Sequence, residues 1–235
     1  MSHVWRLLQL SLLLPAIAFG SGCATSATAR SSDYQYFAAP SQTDPWSPKI
    51  AGWQRREQRS AEPEAVALRQ QVLSPVATGQ GSLRSKYRRF KAVQQAAVAE
   101  RDEKASGLAR WIQQQARRHY VPDGPIDHWA TLEDTLVKNG DDCDGLELLV
   151  YNALRDLGFG EDQVYRAIVY RPDDGQHHMV TLWFDRSDDP YVIDPTGAMT
   201  HGMPRMSQVA GWVPLKVFSE TDEFSVRSVV SYASR

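Results

Sequence analysis

The sequence contains little cysteine and almost no net charge, and each scarcity excludes a class of protein. Cysteine occurs only at positions 23 and 143 of 235 residues, which excludes a disulfide-rich scaffold and a zinc site built from several cysteines. Lysine and arginine number 26 against 28 aspartates and glutamates, so the formal net charge is −2. A surface basic enough to bind nucleic acid is therefore not expected, and we predict no nucleic-acid partner.

The chain also lacks an apolar run of the roughly 20 residues that a membrane-spanning helix needs. Its longest apolar stretch, LLQLSLLLPAIAF, follows His3 and Arg6 and ends in the small residues GSGC. A charged start, a short apolar segment and small residues are the pattern of a secretory signal. The Gly-Cys ending resembles a bacterial lipoprotein signal, although Gly20 stands where an aliphatic residue is usual. We predict a signal peptide over residues 1–22 and lipid attachment at Cys23.

Lipid attachment at Cys23 predicts an exported, periplasmic protein held on a bilayer. Ala24 is not a retention acid, which favours the outer membrane. The alternative is ordinary secretion with Cys23 incidental. If Cys23 carries lipid, Cys143 has no partner for an internal disulfide, and an unpaired thiol in an exported protein is a candidate for reactivity.

Residues 23–82 are predicted to form a flexible, largely disordered tether. The segments ATSATARSS and APSQTDPWSPK are rich in Ser, Thr, Ala and Pro and show no sustained apolar period. A short helix is expected around residues 61–72. The folded domain is predicted to cover residues 83–235.

The pattern of the domain predicts helices first and strands afterwards. A long helix is expected from Leu83 to His119, and a second begins after Thr131, with Asp134 completing a capping arrangement. The third helix starts at Cys143 and carries a continuous apolar stripe. Strands are then expected in QVYRAIVYR, HHMVTLWFD, YVIDPTG, WVPLKVF and FSVRSVVSY. Helices followed by an antiparallel sheet predict an α+β fold.

Cys143 lies among three aspartates in NGDDCDGLE, at the start of the third helix. The positive end of a helix dipole stabilises a thiolate, which is the attacking form of cysteine. The neighbouring aspartates act in the opposite direction, so a nucleophile here needs a cationic partner. The alternatives are a buried structural thiol and a metal loop. Zinc held by Cys143, His177 and His178 is disfavoured because the usual paired ligand spacing is absent.

The strand HHMVTLWFD supplies two histidines, and side chains alternate across a strand. His178 shares its face with the apolar Val180 and Leu182. Since the helix that carries Cys143 must bury its apolar stripe against the sheet, we expect that face to meet the helix and His178 to reach the thiol. Asp194, on the next short strand, can orient the second ring nitrogen of the histidine. Cys143, His178 and Asp194 then form a nucleophile, a base and an orienting group.

Residues 120–197 resemble the bacterial transglutaminase-like cysteine peptidases, a papain-like group that includes the adhesin-releasing periplasmic proteases. The matching stretches are YVPDGPIDHWATLEDTL, GDDCDG, ALRDLGF, HHMVTLWF and YVIDPTG. The resemblance implies a papain-like, transglutaminase-like core with N-terminal helices packed on an antiparallel sheet. It also implies catalytic roles for Cys143, His178 and Asp194, and Trp129 could line a substrate groove.

The resemblance further implies partners and a cation. Relatives bind calcium through acids that flank the cysteine, which makes Asp142 and Asp144 candidate calcium ligands. The usual Gly-Asp-Cys-Glu-Asp is GDDCDG here, so Gly145 replaces an acid; the alternative is that these acids only complement the helix N-terminus. The implied substrate is an exported or surface protein, and the implied partner is a membrane-bound regulator. Peptide hydrolysis is the predicted activity, with acyl transfer to an amine or an inactive binding module as alternatives.

Overall fold

The computed structural model describes residues 33–61, 81–96, 101–185 and 188–229. Within them lie five α-helices, one 3₁₀ helix and six strands. The helices are α1 (Ser47–Ala61), α2 (Leu83–Ala96), α3 (Arg101–His119), α4 (Leu132–Lys138) and α5 (Cys143–Asp156), with the 3₁₀ helix at Met206–Gln208. The strands are β1 (Tyr34–Ala38), β2 (Val164–Arg171), β3 (Gln176–Trp183), β4 (Tyr191–Ile193), β5 (Val213–Phe218) and β6 (Glu223–Ser228).

The strands form one antiparallel sheet in the order β1-β6-β5-β2-β3-β4. β5 and β2 are its two central strands, and β2 forms a hairpin with β3 in which Val164 pairs with Trp183 and Arg171 with Gln176. β4 is much shorter than β3 and pairs only with the stretch from Thr181 to Trp183. The first half of β3 therefore has an edge that β4 does not cover. The predicted α+β fold is confirmed.

Helix α5 lies at the centre of the helical layer and contributes a large part of its buried core. Ten of its residues, including Leu146, Leu149 and Leu154, are buried. They pack against α2, α3 and one face of the sheet. The opposite face of the sheet buries a second apolar cluster that includes Val180, Leu182 and Trp212. The sheet is therefore covered on both faces, and the apolar stripe predicted for α5 is its core-facing side.

The ends of α4 are built as the sequence predicts. The Thr131 hydroxyl accepts the Asp134 backbone N–H at 3.2 Å, and the Asp134 carboxylate accepts the Thr131 N–H at 3.2 Å. This reciprocal pair satisfies two backbone donors that a helix N-terminus leaves free. At the other end Asn139 takes a left-handed conformation with φ of 64°. The turn that follows carries the chain directly into the start of α5.

The predicted tether over residues 23–82 is wrong for the stretch that contains β1 and α1. β1 pairs with β6 at the edge of the sheet, and α1 packs on the domain with Ile50 and Trp53 fully buried. Trp46, Ile50 and Trp53 are spaced four and three residues apart, which is one face of a helix. Because polar residues and prolines surround it, this short apolar stripe is difficult to recognise in the sequence. The predicted helix around residues 61–72 lies outside the described residues.

The expected helix from Leu83 to His119 is instead two helices, α2 and α3. They contact each other through aromatic rings, with Phe90 stacked on Trp111 at 4.7 Å between ring centroids. The predicted signal peptide and Cys23 also lie outside the described residues. Among the residues that the structure does describe, no helix is both long and apolar enough to cross a membrane.

Candidate active site

Cys143 is the first residue of α5, and its thiol lies against the backbone of β3. The Asp142 side chain caps the helix by accepting the Asp144 N–H at 3.2 Å. The Met179 backbone N–H donates a hydrogen bond to the thiol. Burial raises the pKa of Cys143 well above its ordinary value, and the charges of Asp142 and Asp144 raise it further; only the Met179 bond opposes them. The resting group is therefore a thiol.

His178 and Asp194 form a buried pair on β3 and at the end of β4. The histidine Nε2 lies 2.8 Å from a carboxylate oxygen of Asp194, whose side chain is fully buried. The same carboxylate accepts backbone N–H groups of Thr196, Met199 and Thr200 at 2.9, 2.6 and 3.1 Å. Burial alone would raise the pKa of Asp194, but the hydrogen bond and charge of His178 together with these amides hold the pKa at about 2. Asp194 is thus a fixed anion beside the imidazole.

The pairing of β3 explains how the thiol comes to the sheet. Met179 lies before the part of β3 that pairs with β4, so its edge is open to the N-terminus of α5. His178 is the preceding residue. Since its Nε2 bonds Asp194, the remaining nitrogen is Nδ1. The structure thus brings Asp194 to His178, and Cys143 to the backbone of the next residue.

The reasoning that selected His178 from strand alternation is wrong in one respect. Helix α5 packs on the face of β3 that carries Met179 and Thr181, because the Thr181 hydroxyl donates to Glu147 of α5 at 2.6 Å. His178 shares the other face, with Val180 in the second cluster. Cys143 packs with the cluster on the first of these faces, so the thiol and the imidazole can meet only around the edge of β3 that β4 leaves uncovered. Alternation of side chains carries no information about such an edge.

Buried charges hold the first turn of α5 in place. Arg166 of β2 is fully buried, forms an ion pair with Glu147 and donates to the Asp144 carbonyl at 2.9 Å. Its guanidinium lies over the rings of Trp53 and Phe218, at 4.3 and 5.3 Å from their centroids. The Arg166 side chain on β2 thus contacts both α1 and the turn that carries Cys143. Arg166 was not predicted as a site residue, although an arginine between Val164 and Ile168 on one face of an apolar strand is a visible signal.

The acids around Cys143 are mostly engaged by backbone. Asp144 is buried and accepts the Ala130 N–H at 3.1 Å, and burial together with Asp142 raises its pKa well above the usual carboxyl range. Asp141 accepts the N–H of Asp142 at 3.0 Å. In the described ranges, no group of three or more His, Cys, Asp or Glu side chains is placed to hold a metal ion. Calcium at Asp142 and Asp144 would therefore need further oxygens from backbone or water.

Gly145, where the sequence departs from the pattern of the peptidases that it resembles, lies where a side chain would overlap its neighbours. A Cβ on Gly145 would lie 2.4 Å from the Asp141 Cβ and 2.6 Å from the Thr135 hydroxyl. Asp141 is the additional aspartate before the cysteine, and its side chain occupies the space that a side chain at 145 needs. The two departures in GDDCDG are therefore one structural change.

The structure does not support Trp129 as a groove residue. Its ring is 5% exposed and stacks between Phe218 and Trp46, at 5.8 and 6.3 Å between centroids. Trp46 is only partly buried and also contacts His177 edge-on at 5.0 Å. Trp46 and Cys143 pack against the same buried cluster. Trp46, in the stretch predicted as a tether, is therefore the more exposed of the two stacked tryptophans in this region.

Together these features define a transglutaminase-like α+β fold, with a cysteine at the start of the central helix and a buried histidine–aspartate pair on the sheet. No protein-family model matches the sequence. No curated protein matches it either.

Solved structures do match. The calcium-bound form of Legionella pneumophila LapG has a TM-score of 0.53 and 16% identity, covering 73% of this chain and 87% of LapG. Another LapG structure has a TM-score of 0.52 and 15% identity over 75% of this chain and 87% of LapG. The EGTA-treated form has a TM-score of 0.52 and 15% identity over 75% of this chain and 84% of its own. At this identity the likeness establishes a shared fold.

Proposed function

We propose that this chain is an exported cysteine peptidase that cleaves a peptide amide bond of an exported or surface protein. The observation that carries the proposal is the buried His178–Asp194 pair, 2.8 Å apart, beside a free cysteine that the N-terminus of α5 holds against the next residue of β3. The fold shared with LapG supports it.

The proposed mechanism begins with a thiol and a neutral imidazole. The Cys143 sulfur attacks the carbonyl carbon while His178 Nδ1 removes the thiol proton, and Asp194 stabilises the imidazolium through Nε2. The backbone N–H of Cys143, in the first turn of α5, donates to the oxyanion. The tetrahedral intermediate then loses its amine, which takes the proton from His178, and a thioester remains. Water activated by His178 hydrolyses the thioester and restores the thiol.

The raised pKa of Cys143 decides how the nucleophile is activated. A thiolate formed in advance would face the charge of Asp142 and the burial of the site. Proton transfer to His178 during the attack avoids that state, because the negative charge moves onto the substrate oxygen as it forms. His178 therefore acts as the general base in the same step in which the sulfur attacks.

Calcium is a further part of the proposal, since LapG has been solved in calcium-bound and EGTA-treated forms. Asp142 and Asp144 would hold the ion, and its charge would reduce the repulsion that these two carboxylates impose on the thiol. A thermal unfolding midpoint that rises with calcium, falls back with EGTA and is insensitive to both in D142N supports this site. Equal midpoints with calcium and with EGTA in the unsubstituted chain contradict it.

The location follows the sequence prediction of a signal peptide and lipid attachment at Cys23. We propose a periplasmic protein anchored in the bilayer through Cys23, with a membrane-bound regulator as partner. Metabolic labelling with a radioactive fatty acid tests the anchor. The chain should take up label, and the variant C23S should not.

Comparing exported proteins from cells that carry the unsubstituted chain or C143A tests the activity. A protein fragment that is present with Cys143 and absent with C143A is expected, because removal of a nucleophile reduces hydrolysis by about 10³-fold or more. Incubation with a labelled primary amine separates the alternatives: incorporation of the amine indicates acyl transfer. A phenotype that C143A fully retains indicates a binding module and contradicts hydrolysis.

A further inference from the structure

A short loop beside Cys143 exposes more apolar surface than the fold requires. Six large hydrophobic side chains are exposed in the described residues, and three of them lie between positions 120 and 126. Tyr120, Val121 and Ile126 are 48%, 55% and 80% exposed. Exposed apolar residues that lie close together in this way mark a contact surface, whereas single exposed apolar residues scattered over a protein are ordinary. We call residues 120–128 the cleft loop.

Backbone pairing fixes the start of the cleft loop two residues from the nucleophile. Tyr120 and Asp141 form a parallel bridge, in which Val121 N–H donates to the Asp141 carbonyl and Asp141 N–H to the His119 carbonyl, both at 3.0 Å. Asp141 leads directly into the turn that holds Cys143. The apolar side chains of Tyr120 and Val121 are therefore held next to the turn of the thiol by the fold itself.

The far end of the cleft loop is also anchored, and it too faces the site. The Asp123 carboxylate accepts the His128 N–H at 2.5 Å, which closes the loop on itself. Asp127 forms an ion pair with Lys49 of α1. Two residues after the loop, the Ala130 N–H donates to the Asp144 carboxylate at 3.1 Å, so the chain returns there to the turn of Cys143. The loop is thus held at both ends beside that turn, and Asp127 connects it to α1.

We propose that the cleft loop is one wall of the substrate-binding cleft, and that Val121 and Ile126 bind an aliphatic side chain of an extended peptide close to the scissile bond. The occupant is a substrate because Tyr120 and Val121 are paired through their backbone with Asp141, two residues before the nucleophile. Asp123 and Asp142 give the same cleft a negative potential, so acidic residues near the scissile bond are disfavoured. This inference rests on the proposed peptidase function and adds its substrate preference.

The test compares cleavage sites made by the full-length gene product, purified as the cell processes it. Exported proteins from cells that lack the gene serve as substrate, and the new N-termini are identified by labelling and mass spectrometry. The variant V121S/I126S removes the apolar wall. V137S is the matched control, because Val137 is 67% exposed on α4, outside the cleft loop. Alkylation of Cys143 by iodoacetamide reports whether each variant keeps its thiol environment.

The expected result has three parts. Cleavage sites are enriched in Val, Ile or Leu within three residues of the cut and depleted in Asp and Glu. V121S/I126S cleaves these sites at least tenfold more slowly, while V137S stays within twofold of the unsubstituted chain. Iodoacetamide alkylates all three at the same rate.

Two results would overturn the inference while leaving the peptidase function intact. One is equal cleavage by V121S/I126S and the unsubstituted chain, with C143A inactive. The other is cleavage without any aliphatic preference. A chain that cleaves no exported protein at all contradicts the proposed function itself, and the inference then fails with it.

Discussion

Replacing Arg166 with methionine should destabilise the protein by about 3–5 kcal/mol at pH 8. The Arg166 and Glu147 side chains are both fully buried and form an ion pair. Methionine retains an apolar side chain between Trp53 and Phe218 but removes the cation. The loss therefore arises mainly from a buried carboxylate that no longer has its partner, which costs more than the pair itself contributes.

The pH dependence of this loss has a definite sign. Burial raises the pKa of Glu147 above 4.5, and the Arg166 charge opposes that rise. Without Arg166 the pKa of Glu147 in the folded state rises further. A carboxyl group with a raised folded-state pKa destabilises the fold at high pH, and this penalty disappears as pH falls below that pKa towards the unfolded value. R166M should therefore be less destabilised at pH 5 than at pH 8.

Urea unfolding followed by tryptophan fluorescence measures both effects. R171M is the control, because the Arg171–Asp174 pair lies in solvent at the surface and should contribute far less than the buried pair. The double variant E147Q/R166M should recover part of the lost stability, since neither of these two positions then carries a buried charge. A loss below about 1 kcal/mol for R166M at pH 8, or one that grows at pH 5, would refute the role assigned to this pair.

Three further groups of the domain give predictions. Burial raises the pKa of Glu57 to about 7, so the free energy of unfolding falls as pH rises from 4.5 through 7 and this carboxyl group becomes charged. E57Q should therefore stabilise the fold by up to ~3 kcal/mol at pH 8 and have little effect at pH 4; equal urea midpoints of both chains at pH 8 would argue against a buried charge. D194N should lower kcat/KM by about 10²–10⁴-fold while iodoacetamide still alkylates Cys143, and an active D194N would remove the orienting role. Because the pKa of Asp194 is about 2, its contribution to stability is present above pH 3.8 and is lost as pH falls through 2, so D194N should be less stable than the unsubstituted chain at pH 7 and equal to it below pH 2. G145A should cost about 1–3 kcal/mol through overlap with Asp141 and Thr135. D141G should relieve the part of that cost that comes from Asp141 in a double-mutant cycle, and additive effects would contradict the overlap.

The sequence by itself determined the local structure around the site. Three of these features depend on residues that are neighbours in the chain, so they could be recognised from the sequence. They are the capping pair at Thr131 and Asp134, the apolar stripe of α5 and the hairpin of β2 and β3. The pairing of His178 with Asp194 could also be proposed, since both side chains fall on one face of neighbouring strands. The role of Cys143 could be proposed from its place at the start of α5, and the resemblance of the motifs agreed with that proposal.

Only the tertiary structure decided how these parts meet. The uncovered edge of β3 at Met179 exists because β4 is short, and sequence alternation cannot show which strands a neighbour leaves open. Arg166, Trp46 and the helix α1 support the site from distant parts of the chain, and their contribution depends on burial that no local pattern encodes. Likewise, Asp141 and Gly145 look like two independent departures in the sequence, whereas in space one side chain fills the place of the other. Contacts between residues far apart in the chain arise from packing, and packing is decided only when the whole core forms.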